Sequence, residues 1–330
     1  MRALVTGATG FIGANVVRQL LQRDYQVRAL VRKESSLRNL SGLKVEIAYG
    51  DLRDKESIDA ALSGCDFLFH IAAAYTFWTP HPKSIYQTNV EGTENLFRAA
   101  AARGIKKIVH TSSESTIRIE HNGHPGTEAQ LTTLDRLPGH YKKSKLLAEQ
   151  CAMKMCREGV PLVVVNPTAP VGEYDIKPTP TGQLIVRFLN GGMFAYVNTG
   201  LNVVDVTDVA AGHVLALEKG RPGERYILGN KNLTLRQILG LLEEVTGRKG
   251  PRVRVPIWMA LAAAYSDELI TGRLRGKEPA IPVAEVKTSR KFRYFDCTRA
   301  IKELSLPQTP VEIALQKAVR WFKENGYVKN

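Results

Sequence analysis

The sequence predicts a doubly wound α/β fold, a parallel sheet covered by helices on both faces, joined to a smaller and mostly helical C-terminal lobe. Three observations carry that reading. In the first half of the 330 residues, short runs that are apolar throughout alternate with stretches of helical period. Strands buried on both faces read as continuous apolar runs and not as alternating ones. A glycine cluster, Gly7, Gly10 and Gly13, separates the first run from the first helical stretch. After Asn166-Pro167 the texture changes to a proline-punctuated loop followed by helices.

Taken in order, Ala3–Thr6 is the first strand, and Val16, Val17, Leu20 and Leu21 form the stripe of a helix packed on a sheet. Val27–Val31 and Val45–Ala48 are strands, Ser57–Leu62 a helix and Phe67–Ile71 a fourth strand. Asn89–Ala102 is an Ala-rich helix, Ile108–Thr111 a strand, Tyr141–Arg157 a helix and Leu162–Val165 the sixth strand. Pro170, Pro178 and Pro180 with Gly172 and Gly182 mark a long loop. Further on, Thr234-x-x-Gln237 and Thr309-Pro310-x-Glu312 read as capping boxes that open helices.

Composition narrows the function classes. Apolar residues make up 44% and charged residues 24%, enough to bury a core, which excludes disorder as the main state. Lys and Arg exceed Asp and Glu by 46 to 32, a net charge of +14. The bases are interspersed with acids and match no nucleic-acid motif, so nucleic acid is not an expected partner. The densest excess lies in 251–302, with eleven bases against five acids. It reads as a solvated basic face, with an anion- or membrane-facing surface as the alternative.

The apolar stretch Ile257 to Tyr265 has about half the ~20 residues that cross a bilayer. Within it Trp258, Met259 and Leu261 read as packing inside the lobe, with membrane contact as the alternative. Four cysteines show no Cys-x-x-Cys pair, which argues against a disulfide scaffold or zinc ribbon. No long apolar leader precedes the first strand, and the expected setting is the cytoplasm.

The glycine loop, Thr6-Gly7-Ala8-Thr9-Gly10-Phe11-Ile12-Gly13, is the first chemical signal. Between a strand and a helix, three glycines serve a tight turn, a close approach of backbone to a pyrophosphate, and close helix–strand packing. The helix N-terminus then offers N–H groups to the phosphates. The end of the second strand selects the dinucleotide: a carboxylate would accept ribose hydroxyls, an arginine a 2′-phosphate. Val31-Arg32-Lys33 stands there, with Glu34 beyond it in the loop, so Arg32 favours NADP(H) over NAD(H). Asp51-Leu52, after the third strand, is placed to meet the adenine edge.

The second signal is Tyr141-Lys142-Lys143-Ser144-Lys145, which sets Tyr141 and Lys145 four apart on one helix face. An ammonium ~4 Å from a phenol favours the phenolate by about 4 kcal/mol at an effective dielectric of ~20, opposed by desolvation. That would bring Tyr141 toward the range of useful acid–base work. Upstream, the fifth strand runs into Thr111-Ser112-Ser113, whose hydroxyls stand ready for the same substrate oxygen.

With Asp51-Leu52, His70-x-Ala72-Ala73, Asn89-Val90-x-Gly92-Thr93-x-Asn95 and Asn166-Pro167, the chain resembles the extended short-chain dehydrogenase/reductase family, also called NAD-dependent epimerase/dehydratases. Within it, the resemblance is to the dihydroflavonol reductase-like branch. Gly139-His140-Tyr141-Lys142-x-Ser144-Lys145 and Asp175–Gly182 are similar to segments of hopanoid-associated sugar epimerases. The resemblance implies a Rossmann domain over 1–168, rejoined by 202–228, and a substrate lobe from 169–201 and 229–330. It implies Tyr141 as the acid–base, Lys145 on the nicotinamide ribose, and Ser113 on the reacting oxygen. Gly7, Thr9, Gly10, Phe11, Ile12, Arg32, Asp51, Leu52, Ala72, Ala73, Asn89, Thr111, Asn166 and Pro167 then join Tyr141 and Lys145 around the cofactor. Glu114 departs from the family pattern, and a carboxylate there would repel an anionic substrate.

Lesser signals are weighed the same way. Glu120, His121, His124 and Glu128 read as a solvated turn and not a metal site. Tyr75, Phe77 and Trp78 serve either as a substrate wall or as a packing cluster, and His140 faces either substrate or the outer helix surface. The expected activity is an NADP(H)-dependent hydride transfer to or from a carbonyl or carbinol carbon of a small organic, lipid-linked or sugar substrate. A sugar epimerase holding its cofactor is the alternative, and a non-catalytic dinucleotide sensor the second. A monomer or homodimer, with peripheral membrane contact only, completes the expectation.

Overall fold

The computed structural model describes residues 1–119 and 124–329. Its central sheet has seven parallel strands in the order β10-β6-β5-β4-β1-β2-β3. These are β1 Arg2–Thr6, β2 Gln26–Val31, β3 Val45–Tyr49, β4 Phe67–His70, β5 Lys107–Thr111, β6 Leu162–Pro167 and β10 Arg225–Leu228. The order reverses between β1 and β4, so a crevice opens outside their carboxyl ends, where such sheets bind ligands.

Alternation along β1 explains why both faces are dry. Ala3 and Val5 point into a core shared with α1 (Phe11–Leu21) and α7 (Val206–Lys219), where Val16, Leu20, Val209 and Val214 are buried. Leu4 points the other way, into a core with α2 (Lys55–Leu62), α4 (Gly92–Ala102) and α5 (His140–Arg157). A strand with apolar residues on both sides has no polar face to give to water.

The six strands expected from the apolar runs are present, and β10 adds a seventh beyond β6. Its four residues are too short for periodicity to separate strand from helix. The helix expected from Asn89 begins instead as a π-helical turn, Gln87–Glu91, before α4. The long loop expected after Pro167 contains β7, Ala169–Val171, and ends where α6, Pro180–Leu189, begins. Pro170 is tolerated because β7 lies at the edge of a three-stranded sheet, β11-β9-β7, with β9 Gly200–Asp205 and β11 Lys231–Thr234. A two-stranded pair joins β8, Ala195–Val197, to β12, Val253–Val255.

Around these small sheets α6, α8 (Leu235–Thr246) and α11 (Val311–Glu324) build a separate core of Ile185, Leu239, Leu315 and Phe322. Thr234 and Gln237 form the expected capping box on α8. The second expected box does not form. Pro310 is itself the N-cap of α11, and Thr309 donates its N–H and hydroxyl to Asp208, at 2.7 and 2.9 Å.

A larger correction concerns α9, Ile257–Asp267, since Trp258 is 67% and Met259 44% exposed and only Leu261 of the three is partly covered. The short helix α10, Val283–Thr288, covers one face of α9 and leaves the rest open.

One ion pair ties the C-terminal helix to the sheet domain. Asp205, fully buried, caps α7 by accepting from Thr207 N–H at 2.7 Å and meets Lys317 Nζ of α11 at 2.6 Å. Lys317→Ala leaves that carboxylate without its cation, which costs about 2 kcal/mol given the lysine's partial exposure. A lower urea midpoint with an unchanged slope is the expected result, and an unchanged midpoint would refute it.

Candidate active site

At the carboxyl end of β1, Thr6 Oγ1 accepts from the Ile71 and Ala72 N–H groups, both at 3.2 Å, and donates to His70 Nδ1 at 2.8 Å. His70 Nε2 then donates to Thr93 Oγ1 at 2.9 Å, and burial holds the ring neutral, its pKa pushed down to about 3. This clamp brings the exit of β4 against the glycine loop. Gly7 has φ +70°, and a Cβ there would lie 2.7 Å from Ala72 N. A Cβ on Gly13 would run into the Gly7 carbonyl. The backbone can come this close only because both side chains are missing.

Gly10 is the N-cap of α1, with no side-chain cap and no acid in the first turn. The N–H groups of Phe11 and Ile12 therefore face outward without an intrahelical partner, as an anion requires. Asn39 Nδ2 holds the Thr9 carbonyl at 3.0 Å, and Ala72 and Ala73 lie half-buried beside the loop.

Beyond β2, the Arg32 side chain is 61% exposed and meets Glu34 at 3.4 Å, and its charge also reaches Asp51. Asp51 is gripped by Arg53, Nε at 2.9 Å and Nη2 at 2.7 Å, and these hydrogen bonds hold its carboxyl below the usual range. Leu52 instead turns inward, buried in the α2–α4 core against Gly92.

At the other side of the crevice α5 presents Tyr141 and Lys145. Lys145 is 3% exposed and donates from Nζ to the Thr111 carbonyl at 2.6 Å. Burial pushes its pKa down to about 8, and Glu149 works against that shift. The Tyr141 ring is walled by Tyr75 and Phe77, centroids 4.7 and 5.9 Å away, so these two aromatics belong to the site. Trp78 lies apart from them, its indole against Gly272. Burial first, and Glu114 second, push the Tyr141 phenol above its ordinary value. The lowering expected from Lys145 is absent, because that ammonium is directed at the Thr111 carbonyl and is itself desolvated.

Ser113 Oγ accepts from Ser115 N–H and Ser115 Oγ, at 3.2 and 2.9 Å, which leaves its own proton to donate. Thr111 Oγ1 faces away from the crevice, donating to His213 Nε2 at 2.9 Å, while His213 Nδ1 donates to the Val209 carbonyl. Asn89 is buried and occupied: Oδ1 accepts from Ala74 N–H at 2.7 Å, and Nδ2 donates to the Ala74 carbonyl and Ser144 Oγ. It braces the β4 exit loop against α5.

The model of the NAD dependent epimerase/dehydratase family matches residues 3–229. The chain belongs to this family. A putative dihydroflavonol 4-reductase of Synechocystis sp. is 45% identical over 329 residues, covering 98% of this chain and 95% of the relative. Sterol demethylase protein B of Methylococcus capsulatus is 36% identical over 330 residues, covering 99% of this chain and 100% of the relative. A solved nucleoside-diphosphate-sugar epimerase from Pseudomonas aeruginosa is 26% identical with a TM-score of 0.83, covering 100% of this chain and 99% of that one. The chain is thus an oxidoreductase or epimerase of the extended short-chain dehydrogenase/reductase type, dependent on a nicotinamide dinucleotide. The glycine cradle, which a Cβ would fill, and the uncapped α1 N-terminus fit that cofactor.

A buried carboxylate stands behind the groups of the site. Glu149, fully buried one turn beyond Lys145, was not singled out in the sequence, although its i+4 spacing from Lys145 puts both on one face. Its Oε2 accepts from Ser112 Oγ, from Thr116 Oγ1 at 2.7 Å and from Asn166 Nδ2 at 3.0 Å, and Arg225 Nη1 lies 3.6 Å from Oε1. Asn166 Nδ2 also donates to the Ser113 carbonyl at 3.2 Å, while Pro167 closes β6 behind it. Glu149 therefore positions the serine loop and α5 together.

Other expectations resolve simply. His140 Nδ1 meets Tyr86 OH at 3.0 Å, on the outer surface. Residues 120–123 of the turn weighed as a metal site lie outside the described residues, and Glu128 accepts from Ile227 N–H at 2.9 Å. Glu114 meets Arg293 at 2.7 Å, so its charge is compensated. Nothing in the sequence links those two, 179 positions apart.

Glu149→Gln keeps the size and removes the charge. Misplacing Ser113 and Tyr141 lowers kcat roughly 10–100-fold with little change in cofactor KM. Because Glu149 raises the Lys145 pKa, its loss moves the alkaline limb of the rate profile to lower pH. A variant that merely melts earlier, with that limb unmoved, would reduce Glu149 to a structural part.

Proposed function

We propose that the chain is an NADP(H)-dependent reductase that transfers hydride to a carbonyl carbon, or from the corresponding carbinol, of a small organic substrate. The observation that carries the cofactor choice is the pair of strand ends beside the adenine edge. Asp51 is committed to Arg53, while Arg32 is exposed and, among the described residues, ion-paired with the surface residue Glu34. Such an exposed pair is worth little, so a 2′-phosphate replaces Glu34 at small cost and gains a forked, charge-assisted contact.

The bound cofactor supplies or takes the hydride. Tyr141 holds the proton at its phenol oxygen, and its raised pKa keeps that proton in place until an alkoxide develops. Ser113 donates its unused hydroxyl proton to the same oxygen, and Lys145 contributes positive charge behind both. In the proposal, residues 1–168 with 202–228 hold the cofactor, and 169–201 with 229–330 shape the substrate pocket. The enzyme acts in the cytoplasm as a monomer or homodimer. The Synechocystis relative, named as a reductase, supports the reading. Epimerisation is the second reading, favoured by the sugar epimerase that shares the fold along the whole chain.

Initial rates with NADPH and NADH over an aldehyde and ketone panel test this. Tyr141→Phe lowers kcat roughly 10²–10⁴-fold, as loss of a general acid does. Arg32→Ala lowers kcat/KM for NADPH about tenfold and leaves NADH unaffected. Equal use of both dinucleotides by the wild type would sink the NADP(H) assignment. Sugar isomers interconverting without net oxidation would transfer the case to the epimerase.

A further inference from the structure

The open side of α9 does not resemble an ordinary solvent face. Ile257, Ala260, Leu261 and Ala264 lie against Val283 and Val286 of α10. On the other side, Trp258, Met259, Tyr265, Leu269, Ile270 and Leu274 are exposed, along α9 and the π-helical turn Glu268–Leu274 that continues it. Trp258, Tyr265 and Leu269 form one row and Met259, Ile270 and Leu274 a second about 100° further round, so the two rows share the half of the helix away from Ala264, with Lys287 of α10 5.5 Å over the Tyr265 ring. Single exposed apolar residues are common, but a group of six with a Trp and a Tyr is not.

The charges of the same segment are sorted. Asp267 accepts from Thr271 Oγ1 at 2.6 Å and Ile281 N–H at 2.9 Å, and Glu268 from Val283 N–H at 2.7 Å, so both acids are used internally. Arg254, Arg273, Arg275 and Lys277 are exposed and, among the described residues, have no carboxylate within ion-pair distance; against these four cations the exposed acid of the stretch is Glu278, beside Lys277. No helix among the described residues is long and apolar enough to cross a membrane.

We propose that this face docks on an anionic lipid bilayer, with Trp258, Leu269 and Leu274 at the headgroup boundary and the unpaired cations on lipid phosphates. Apolar anchors rimmed by free cations match a negative surface over acyl chains. A symmetric contact between two copies would instead bring eight such cations, four from each copy, to one interface.

The same layer walls the candidate active site. Trp78, three residues past Tyr75 in the loop that walls Tyr141, packs its indole on Gly272, where a Cβ would lie 3.1 Å from Nε1. Thr288 of α10 accepts from Lys142 Nζ at 2.5 Å, next to Tyr141.

Flotation of the full chain tests the docking without reference to turnover. The protein floats with vesicles of equal parts phosphatidylcholine and phosphatidylglycerol, less with phosphatidylcholine alone, and less again at high salt. Trp258→Ser combined with Leu269→Ser, and separately Arg273→Glu combined with Arg275→Glu, each lower the bound fraction about tenfold. Unchanged circular dichroism and melting temperature establish that both variants fold. Tyr141→Phe floats like the wild type, so docking and catalysis are judged separately. Wild-type protein left in the soluble fraction with anionic vesicles, or a double variant that floats undiminished, overturns the proposal. So does a solution dimer that the Trp258 and Leu269 changes dissolve in a protein that never floats.

Discussion

The site depends on one buried ammonium. Lys145 has left water almost completely, which is costly unless hydrogen bonds and countercharge replace the hydration. The Thr111 carbonyl supplies the hydrogen bond and Glu149, one helical turn on, the countercharge. Each partner belongs to a different part of the fold, the end of β5 and the body of α5. Satisfying the lysine therefore fixes the register of helix against strand. That register sets Tyr141 and the Ser113 loop on the same crevice.

The electrostatics of the substrate end follow from the same economy of water. Tyr75 and Phe77 cover the phenol, and the Glu114 charge lies close by, so the protonated form is favoured. Lys142, buried beside it, is pushed down to about 7 by desolvation, with Arg293 adding to the shift. Arg293 compensates Glu114, so the carboxylate next to Ser113 does not stand alone against an anionic substrate. A pocket arranged this way rests with its proton on Tyr141, which suits an acid waiting for an alkoxide better than a base waiting for an alcohol.

Local signals were legible in the sequence, and long-range ones were not. The glycine loop could be read because strand, turn and helix are contiguous, and the clashes at Gly7 and Gly13 give its spacing a steric cause. Tyr141 and Lys145 could be read because helical period alone puts them on one face. The phenol's direction of shift could not, since it depends first on its burial and then on Glu114, neither of which the helix period reveals. Leu52 and Asn89 carry motif positions yet turn into the protein, a choice made by neighbours on α4 and α5. β7 and β10 are too short to declare themselves, and Trp258 lies outside because α10 is too short to cover more of α9.

The two cores are joined beside the glycine loop. Glu173 and Tyr174, just after β7, lie across α1: their carbonyls accept from Asn15 and Asn39 at 3.1 and 3.0 Å. Arg18 lies 3.6 Å over the Tyr174 ring, and Tyr174 itself is held at φ +74°, a conformation a bulky residue adopts only under constraint. Arg320 of α11 then meets Glu173 at 2.8 Å. Asn15 is in α1 itself, and Asn39 also holds the Thr9 carbonyl, so the glycine turn and the segment after β7 share these fastenings. The glycine loop, α1 and the segment after β7 are thus fastened by the same two asparagines, and Arg320 carries the connection to α11.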